Sequence, residues 1–221
     1  MPNIGRKSRI KRIIILGTGG NCLDICDIIN ESKKGRCIGF LDDDELKWGK
    51  TIYGVKVLGP LSSATKHKNV YFVNGIGSPN NFWKKDKIIC KTGLKPKNFI
   101  SIIHPTANIS KSAKIGYGTV IFPNVTIASN VKIGNHVIIL SGTVINHDVQ
   151  IGDYVCIASS VSISGRVKIG KMCYLGSNSS IREDVNIGDF SLIGMGSVVL
   201  RDVQSNNIVA GNPAKFLRYV R

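Results

Sequence analysis

The sequence has no long hydrophobic run, few acidic residues and no paired cysteines of the CxxC type. Without a continuous apolar stretch of about 18 residues, a membrane-spanning helix is not expected. The first apolar run, Ile13–Leu16, is too short for a signal peptide, so we predict a cytoplasmic protein. The six cysteines have no histidines at a spacing that suits zinc, which predicts reduced, buried thiols and no metal site.

Acidic residues are scarce, with 14 Asp and Glu against 30 Lys and Arg, which gives a formal charge of +16. The excess lies mainly in the first hundred residues and begins with Arg6, Lys7, Arg9, Lys11 and Arg12. No predicted helix carries a basic stripe, and aromatic residues do not alternate with basic ones, which argues against a nucleic-acid partner. Such a surface suits small polyanions, for example coenzyme A or a nucleoside diphosphate.

A six-residue repeat fills the second half of the chain. Every sixth residue from Ile109 to Val199 is a branched aliphatic, and the residue two positions earlier is small or β-branched. This period fits neither a helix nor an alternating strand. It predicts short strands joined by tight corners, three to a triangular coil, and about five coils stacked around a continuous aliphatic core.

The first hundred residues predict a small Rossmann-like α/β unit. The predicted strands cover residues 12–16, 37–41 and 70–73, and the predicted helix covers residues 21–32. Glycines follow the first and third strands, in Gly17–Gly20 and Gly75–Gly77. Ligands of such folds bind beyond the strand ends, where glycines let backbone N–H groups approach phosphates.

The ligand expected there is a mononucleotide. Cys22 stands where a dinucleotide-binding turn has its third glycine, and a hundred residues supply only half of a dinucleotide fold. Asp42 and Asp43, at the end of the second strand, could accept hydrogen bonds from a base or a ribose. The alternative is a solvated turn before Gly49.

Asn81–Asn98 is rich in lysine and predicts an amphipathic helix that leads into the repeats. We place the boundary near Phe99, with a Rossmann-like domain over residues 1–99 and the prism over residues 100–221.

Five segments in this order resemble the nucleotide-sugar N-acetyltransferases of the bacillosamine, perosamine and viosamine type, with their sialic-acid O-acetyltransferase relatives. The segments are Gly17–Asn21 (GTGGN), Gly39–Asp43 (GFLDD), Ile103–Ala107 (IHPTA), Ile145–Asp148 (INHD) and Ala210–Lys215 (AGNPAK). The resemblance covers Arg12–Arg221 and implies a left-handed parallel β-helix after the Rossmann-like half-domain. It further implies a homotrimer that transfers acetyl from acetyl-CoA to the amine of a nucleotide-linked 4-amino-4,6-dideoxy sugar, in cell-surface polysaccharide biosynthesis.

The resemblance also assigns site residues. It implies that the nucleotide sugar contacts Gly19, Gly20, Asn21, Asp42, Asp43 and Gly77. It implies that acetyl-CoA lies between neighbouring subunits against Cys156, Ser177, Met195 and Lys215. The backbone N–H of Gly165 is implied to face the thioester oxygen, a role that needs no side chain.

His147 is the predicted general base. It follows the inward-facing Ile145 by two positions, at a corner, where its ring can point out of the prism toward a neighbouring subunit. Acetyl transfer to an amine requires a proton to leave the nitrogen, and imidazole titrates near neutrality. Asp148 could orient the ring. The alternative is a histidine that only completes hydrogen bonds at a corner, while His104 is expected at the domain junction, His136 in a turn and His67 at the surface.

Two departures from the family pattern leave alternatives open. Relatives often have histidine where this chain has Asn21 and Cys156. The first difference leaves the nucleotide contacts open, and the second leaves a covalent acetyl-cysteine as an alternative to direct transfer.

The sequence also leaves two other functions open: O-acetylation of a sialic-acid-like sugar, and a non-catalytic trimeric scaffold or nucleotide sensor. A prism-type carbonic anhydrase is disfavoured because Gly152 stands where a second zinc-binding histidine would follow His147.

Overall fold

The N-terminal unit is a three-stranded parallel sheet with helices on both faces. The computed structural model describes residues 10–33 and 35–220, so Arg6, Lys7, Arg9 and Arg221 lie outside the described residues. The elements are β1 (Lys11–Leu16), α1 (Gly20–Glu31), β2 (Gly35–Leu41), β3 (Thr51–Ile52), β4 (Val55–Lys56), β5 (Tyr71–Asn74) and α2 (Lys85–Cys90). The sheet order is β2-β1-β5, and β3 and β4 form a small hairpin. All three predicted strands and the first predicted helix are confirmed.

The central strand β1 is apolar throughout Ile13–Leu16 because both faces of the sheet are covered. Ile13 and Ile15 pack with α1, whereas Ile14 and Leu16 pack with residues that include Ile89 of α2. The carboxyl ends of these strands therefore stay fixed at one edge of the sheet.

The prediction of one helix over Asn81–Asn98 is wrong, because the helix in this segment is much shorter. The segment contains a 3₁₀ turn over Phe82–Lys84, the short helix α2, and a second 3₁₀ turn over Pro96–Asn98. Gly93 has a φ of +63°, a conformation that ends helices, and Pro96 cannot continue one.

The second half of the chain is a parallel β-solenoid whose strands are two residues long. In chain order they are β6 (Ile102–Ile103), β7 (Asn108–Ile109), β8 (Lys114–Ile115), β9 (Val120–Ile121), β10 (Thr126–Ile127), β11 (Lys132–Ile133), β12 (Ile138–Ile139), β13 (Val144–Ile145), β14 (Gln150–Ile151), β15 (Cys156–Ile157), β16 (Ser162–Ile163), β17 (Lys168–Ile169), β18 (Tyr174–Leu175), β19 (Ser180–Ile181), β20 (Asn186–Ile187), β21 (Leu192–Ile193) and β22 (Val198–Val199). Each strand pairs with the strand three positions further on, so residues 18 apart in sequence stack on each other, as Thr126 does on Val144. The solenoid has five complete coils and two strands of a sixth, because β6 adds one repeat before those read from the sequence.

The second residue of each strand points into the prism, as the repeat predicts. From Ile121 onward these aliphatics are buried and form one core with the small or β-branched residues two positions earlier. Residues in the left-handed region of φ turn the corners, including Asn124, Asn130 and Asp148. Asn and Asp tolerate this conformation better than most side chains.

The first residue of each strand points outward, and the three faces of the prism differ in character. The first face carries Ile102, Val120, Ile138 and Cys156, which are buried beneath the N-terminal unit, followed by Tyr174 and Leu192. The second face is uncharged and carries Asn108, Thr126, Val144, Ser162, Ser180 and Val198. The third face carries Lys114, Lys132, Gln150, Lys168 and Asn186.

A hairpin ends the chain. Strand β23 (Asn207–Gly211) continues the first face, and β24 (Ala214–Tyr219) pairs with it antiparallel. Phe216, Leu217 and Tyr219 of β24 are exposed. Within the described ranges, no helix is long and apolar enough to span a membrane.

His136 lies in a turn, as predicted, but it is buried in an aromatic cluster. Its ring stacks on Tyr154 at 5.3 Å and meets the rings of Phe99 and Tyr117 edge-on at 4.5 and 5.1 Å. Nδ1 is buried and has no hydrogen-bond partner in the described part of the chain. Burial, helped by the charge of Lys85, lowers the pKa of His136 to about 4.

We expect His136 to make the fold sensitive to acid. Because its folded pKa lies below the ordinary value of 6.5, the unfolded chain takes up the proton first, and stability falls as pH drops from about 6.5 to about 4. The loss should reach about 3 kcal/mol, at 1.36 kcal/mol per pKa unit. Urea unfolding of wild type and of His136→Phe at pH 7 and pH 4 measures it. The variant should lose less stability than wild type, and equal losses would contradict the assignment.

Candidate active site

The carboxyl ends of the parallel strands border a pocket of about 600 Å³. All six residues that the sequence suggests for the nucleotide sugar line it: Gly19, Gly20, Asn21, Asp42, Asp43 and Gly77. The structure thus brings these residues together, and their contacts with a ligand stay a prediction.

The glycine turn presents free backbone donors to this pocket. Among the described residues, no acceptor is hydrogen-bonded to the N–H groups of Gly19, Gly20 or Asn21. Helix α1 begins at Gly20 and has no acidic residue in its first turn and no side-chain cap. Its free N–H groups and positive terminus therefore favour an anion at this point.

Asp42 and Asp43 accept hydrogen bonds from the protein's own donors, while the side chain of Asp43 is also 42% exposed. Asp42 accepts hydrogen bonds from the Thr18 hydroxyl and, at 2.9 Å, from the backbone N–H of Asp44. Asp43 accepts from the N–H of Leu61 at 3.0 Å and pairs with Lys91 Nζ at 2.9 Å. Both residues line the pocket.

Gly77 packs directly on Cys156. A Cβ at Gly77 would lie 2.4 Å from Cys156 Sγ, so this turn requires glycine. Lys85 Nζ is 3.3 Å from the same sulfur and is completely buried, and burial lowers the pKa of Lys85. With only 3% of Cys156 exposed, the thiol fills the junction between the pocket and the solenoid. This environment favours a packed thiol over an acyl carrier.

His147 lies at the corner between the second and third faces, with its side chain 51% exposed. Nδ1 is 2.9 Å from Asp148 Oδ2, and Asn130 donates to Asp148 Oδ1 at 3.3 Å. The hydrogen bond with His147 lowers the pKa of Asp148, which keeps the carboxylate ionised. The carboxylate of Asp148 can therefore accept a hydrogen bond from Nδ1–H. Nε2 has no hydrogen-bond partner in the described chain. The arrangement leaves Nε2 able to accept a proton.

Gly165 lies one coil further on, beneath the imidazole. A Cβ there would lie 2.7 Å from both Cε1 and Nε2 of His147, so the ring occupies the space that a side chain would take. No described residue accepts a hydrogen bond from the N–H of Gly165. Gly165, whose N–H is unpaired in the described chain, thus packs directly against the imidazole of His147.

Of the four residues predicted to contact acetyl-CoA, Ser177, Met195 and Lys215 lie elsewhere on the solenoid, whereas Cys156 is buried on the first face with only 3% exposed, so in this chain its thiol is not open to a cofactor. Ser177 and Met195 stack at the corner between the first and second faces, and 76% of Met195 is exposed. Lys215 is exposed on β24. In one subunit, the second face separates these residues from His147, so a single chain does not bring them together.

Three residues of these sites are not predicted from the sequence: Asn130, Lys85 and Lys91. Asn130 precedes Asp148 by 18 residues, so the coil length alone could have found it. Lys85 and Lys91 follow an irregular turn, and no sequence signal points to their partners.

Comparison with known proteins agrees with this architecture. Residues 12–88 match the PglD N-terminal domain, and residues 100–201 match the GMPPB C-terminal domain. UDP-N-acetylbacillosamine N-acetyltransferase of Bacillus subtilis (strain 168) is 35% identical over 117 residues, which are 50% of this chain and 51% of that protein. The match therefore spans about half the length of the curated relative.

Two solved structures cover almost the whole chain. The acetyltransferase domain of PglB from Neisseria gonorrhoeae FA1090, in complex with acetyl coenzyme A, has a TM-score of 0.83 at 24% identity and covers 95% of this chain and 100% of its own. PerB from Caulobacter crescentus, in complex with CoA and GDP-perosamine, has a TM-score of 0.82 at 25% identity and covers 95% and 99%. The chain is thus similar to nucleotide-sugar N-acetyltransferases with a left-handed β-helix. The predicted fold of a Rossmann-like half-domain followed by a left-handed parallel β-helix is confirmed.

Proposed function

We propose that the protein is an acetyl-CoA-dependent N-acetyltransferase acting on the amine of a nucleotide-linked 4-amino-4,6-dideoxy sugar. The observation that carries the proposal is the pair of open groups at one edge of the solenoid, Nε2 of His147 and the N–H of Gly165. The pocket at the end of the parallel sheet supports a nucleotide substrate. The relatives support an amine as acceptor, since one is named a UDP-N-acetylbacillosamine N-acetyltransferase and another was solved with CoA and GDP-perosamine.

In the proposed mechanism, the sugar amine attacks the thioester carbon, forming the C–N bond. His147 Nε2 takes the proton from the attacking nitrogen, while ionised Asp148 stabilises the imidazolium through Nδ1. The Gly165 N–H donates to the oxygen that becomes negative in the tetrahedral intermediate. When the C–S bond breaks, the proton passes from His147 to the sulfur of CoA.

The arrangement of edges supports a homotrimer. If the uncharged second face points toward a three-fold axis, the edge with His147 of one subunit meets the Ser177 and Met195 edge of its neighbour. Acetyl-CoA would then lie between the two edges, close to the partner's pocket. The exposed apolar residues of β24 supply further surface for a partner copy.

A charge on the second face is expected to disrupt this assembly. In Ser162→Lys, three like charges meet near the axis, and such contacts cost several kcal/mol. Light scattering during gel filtration should give about three times the 24.0 kDa chain mass for wild type and for Gln150→Lys, a control on the third face. Ser162→Lys should be monomeric and unable to transfer acetyl. A trimeric, active Ser162→Lys would contradict the proposed face.

CoA release tests the activity. Acetyl-CoA is mixed with UDP-, dTDP- or GDP-linked amino sugars, or with a sialic-acid-like sugar that offers only hydroxyl groups. The proposal predicts release with at least one amino sugar and none with the hydroxyl acceptor. Release only with the hydroxyl acceptor would indicate an O-acetyltransferase, and release with none would indicate a scaffold or sensor.

A further inference from the structure

The nucleotide pocket has an unfavourable charge balance for its proposed substrate. Its lining includes the carboxylates of Asp42 and Asp43, and Lys91 is the single basic residue among the described residues that line it. A nucleoside diphosphate adds further negative charge. Lys47 pairs with Asp42 at 3.5 Å but does not line the pocket, so Lys91 is the cation that can face the ligand.

Lys91 is placed where its charge can move. It follows the last residue of α2, its side chain is 59% exposed, and its Nζ reaches Asp43 Oδ2 at 2.9 Å. Lysine carries its charge on a flexible four-carbon stem and binds phosphate as a point charge. An exposed ion pair of this kind contributes little to stability, so breaking it costs little.

We propose that Lys91 exchanges Asp43 for the diphosphate when the nucleotide sugar binds, and thereby selects diphosphates over monophosphates. This inference rests on the proposed function. In the empty pocket, the ion pair balances one of the two carboxylates. In the occupied pocket, the N–H groups at the start of α1 and Lys91 Nζ hold the phosphates together.

The exchange also prepares Asp43 as an acceptor. Its Oδ1 keeps the hydrogen bond from the Leu61 N–H at 3.0 Å, which orients the carboxylate, while Oδ2 loses its ion pair with Lys91. A base or ribose donor can then bind Oδ2. Diphosphate and nucleoside recognition are therefore coupled through one side chain.

Isothermal titration with UDP, dTDP and GDP and with the matching monophosphates tests the exchange. The variants are Lys91→Met, Lys91→Arg and the control Lys87→Met, one helical turn earlier, exposed and outside the pocket. We expect Lys91→Met to weaken the preferred diphosphate about tenfold, as the loss of a charge-assisted bond does. Its monophosphate affinity should change less than twofold, and Lys91→Arg and Lys87→Met should bind almost as wild type does.

The outcomes separate the two claims. Equal diphosphate affinity in Lys91→Met and wild type, or an equal loss for monophosphate and diphosphate, would overturn the role of Lys91 while the proposed function stands. If wild type binds none of the three diphosphates, the nucleotide-sugar substrate itself is wrong and the role of Lys91 falls with it.

Discussion

His147→Asn is expected to lower kcat for acetyl transfer by about 10²- to 10⁴-fold, the range typical of a lost general base. Asparagine keeps a polar side chain at the corner but provides no nitrogen that can take a proton. The ring is half exposed and its only hydrogen-bond partner in the described chain is Asp148, so the fold should be unaffected. CoA release under saturating substrates measures the effect.

The matched control is His67→Asn, a histidine of the N-terminal unit outside both proposed sites. It should retain wild-type kcat, and both variants should keep wild-type affinity for nucleoside diphosphate. If His147→Asn transfers acetyl as fast as His67→Asn, then His147 is not the general base and only completes hydrogen bonds at its corner of the prism.

Gly165→Ala is expected to lower kcat by about 10²-fold, the loss that a displacement of about 1 Å produces at a reacting centre. The new methyl group would lie 2.7 Å from the imidazole, so the ring must move. Gly165 does not have a positive φ, and alanine therefore strains the site through this contact and not through the backbone. Steady-state kinetics and thermal unfolding together measure the change.

The control is Ser164→Ala, the adjacent residue, whose hydroxyl has no hydrogen bond in the described structure. A double variant makes the test specific: when His147 is already asparagine, Gly165→Ala should add little further loss, because the two changes act through one ring. Independent, additive losses would show that Gly165 acts without His147.

The solenoid could be predicted almost completely because one constraint repeats along it. Each inward aliphatic needs the same volume, so the period of six and the stacking interval of 18 residues follow from sequence. The same interval places Asn130 beside Asp148 and Gly165 beside His147. Most of the site around His147 can therefore be predicted from the repeat.

The N-terminal unit was predicted less well because its contacts are not periodic. Amphipathic spacing over Asn81–Asn98 suggested one helix, yet Gly93 and Pro96 limit α2 to six residues. The buried pair of Lys85 and Cys156 joins residues 71 positions apart. Such contacts depend on how the two units pack against each other, so they cannot be predicted from local sequence.

The most direct test of the account is the fate of a labelled acetyl group. Acetyl-CoA carrying an isotopic label is incubated with the protein and the UDP-, dTDP- and GDP-linked amino sugars, and mass spectrometry examines both the sugar and the intact protein. We predict that the label appears on the amine of one nucleotide sugar and that the protein stays unlabelled, even when the sugar is omitted. Label on Cys156, or no labelled sugar from any member of the panel, would contradict direct transfer assisted by His147.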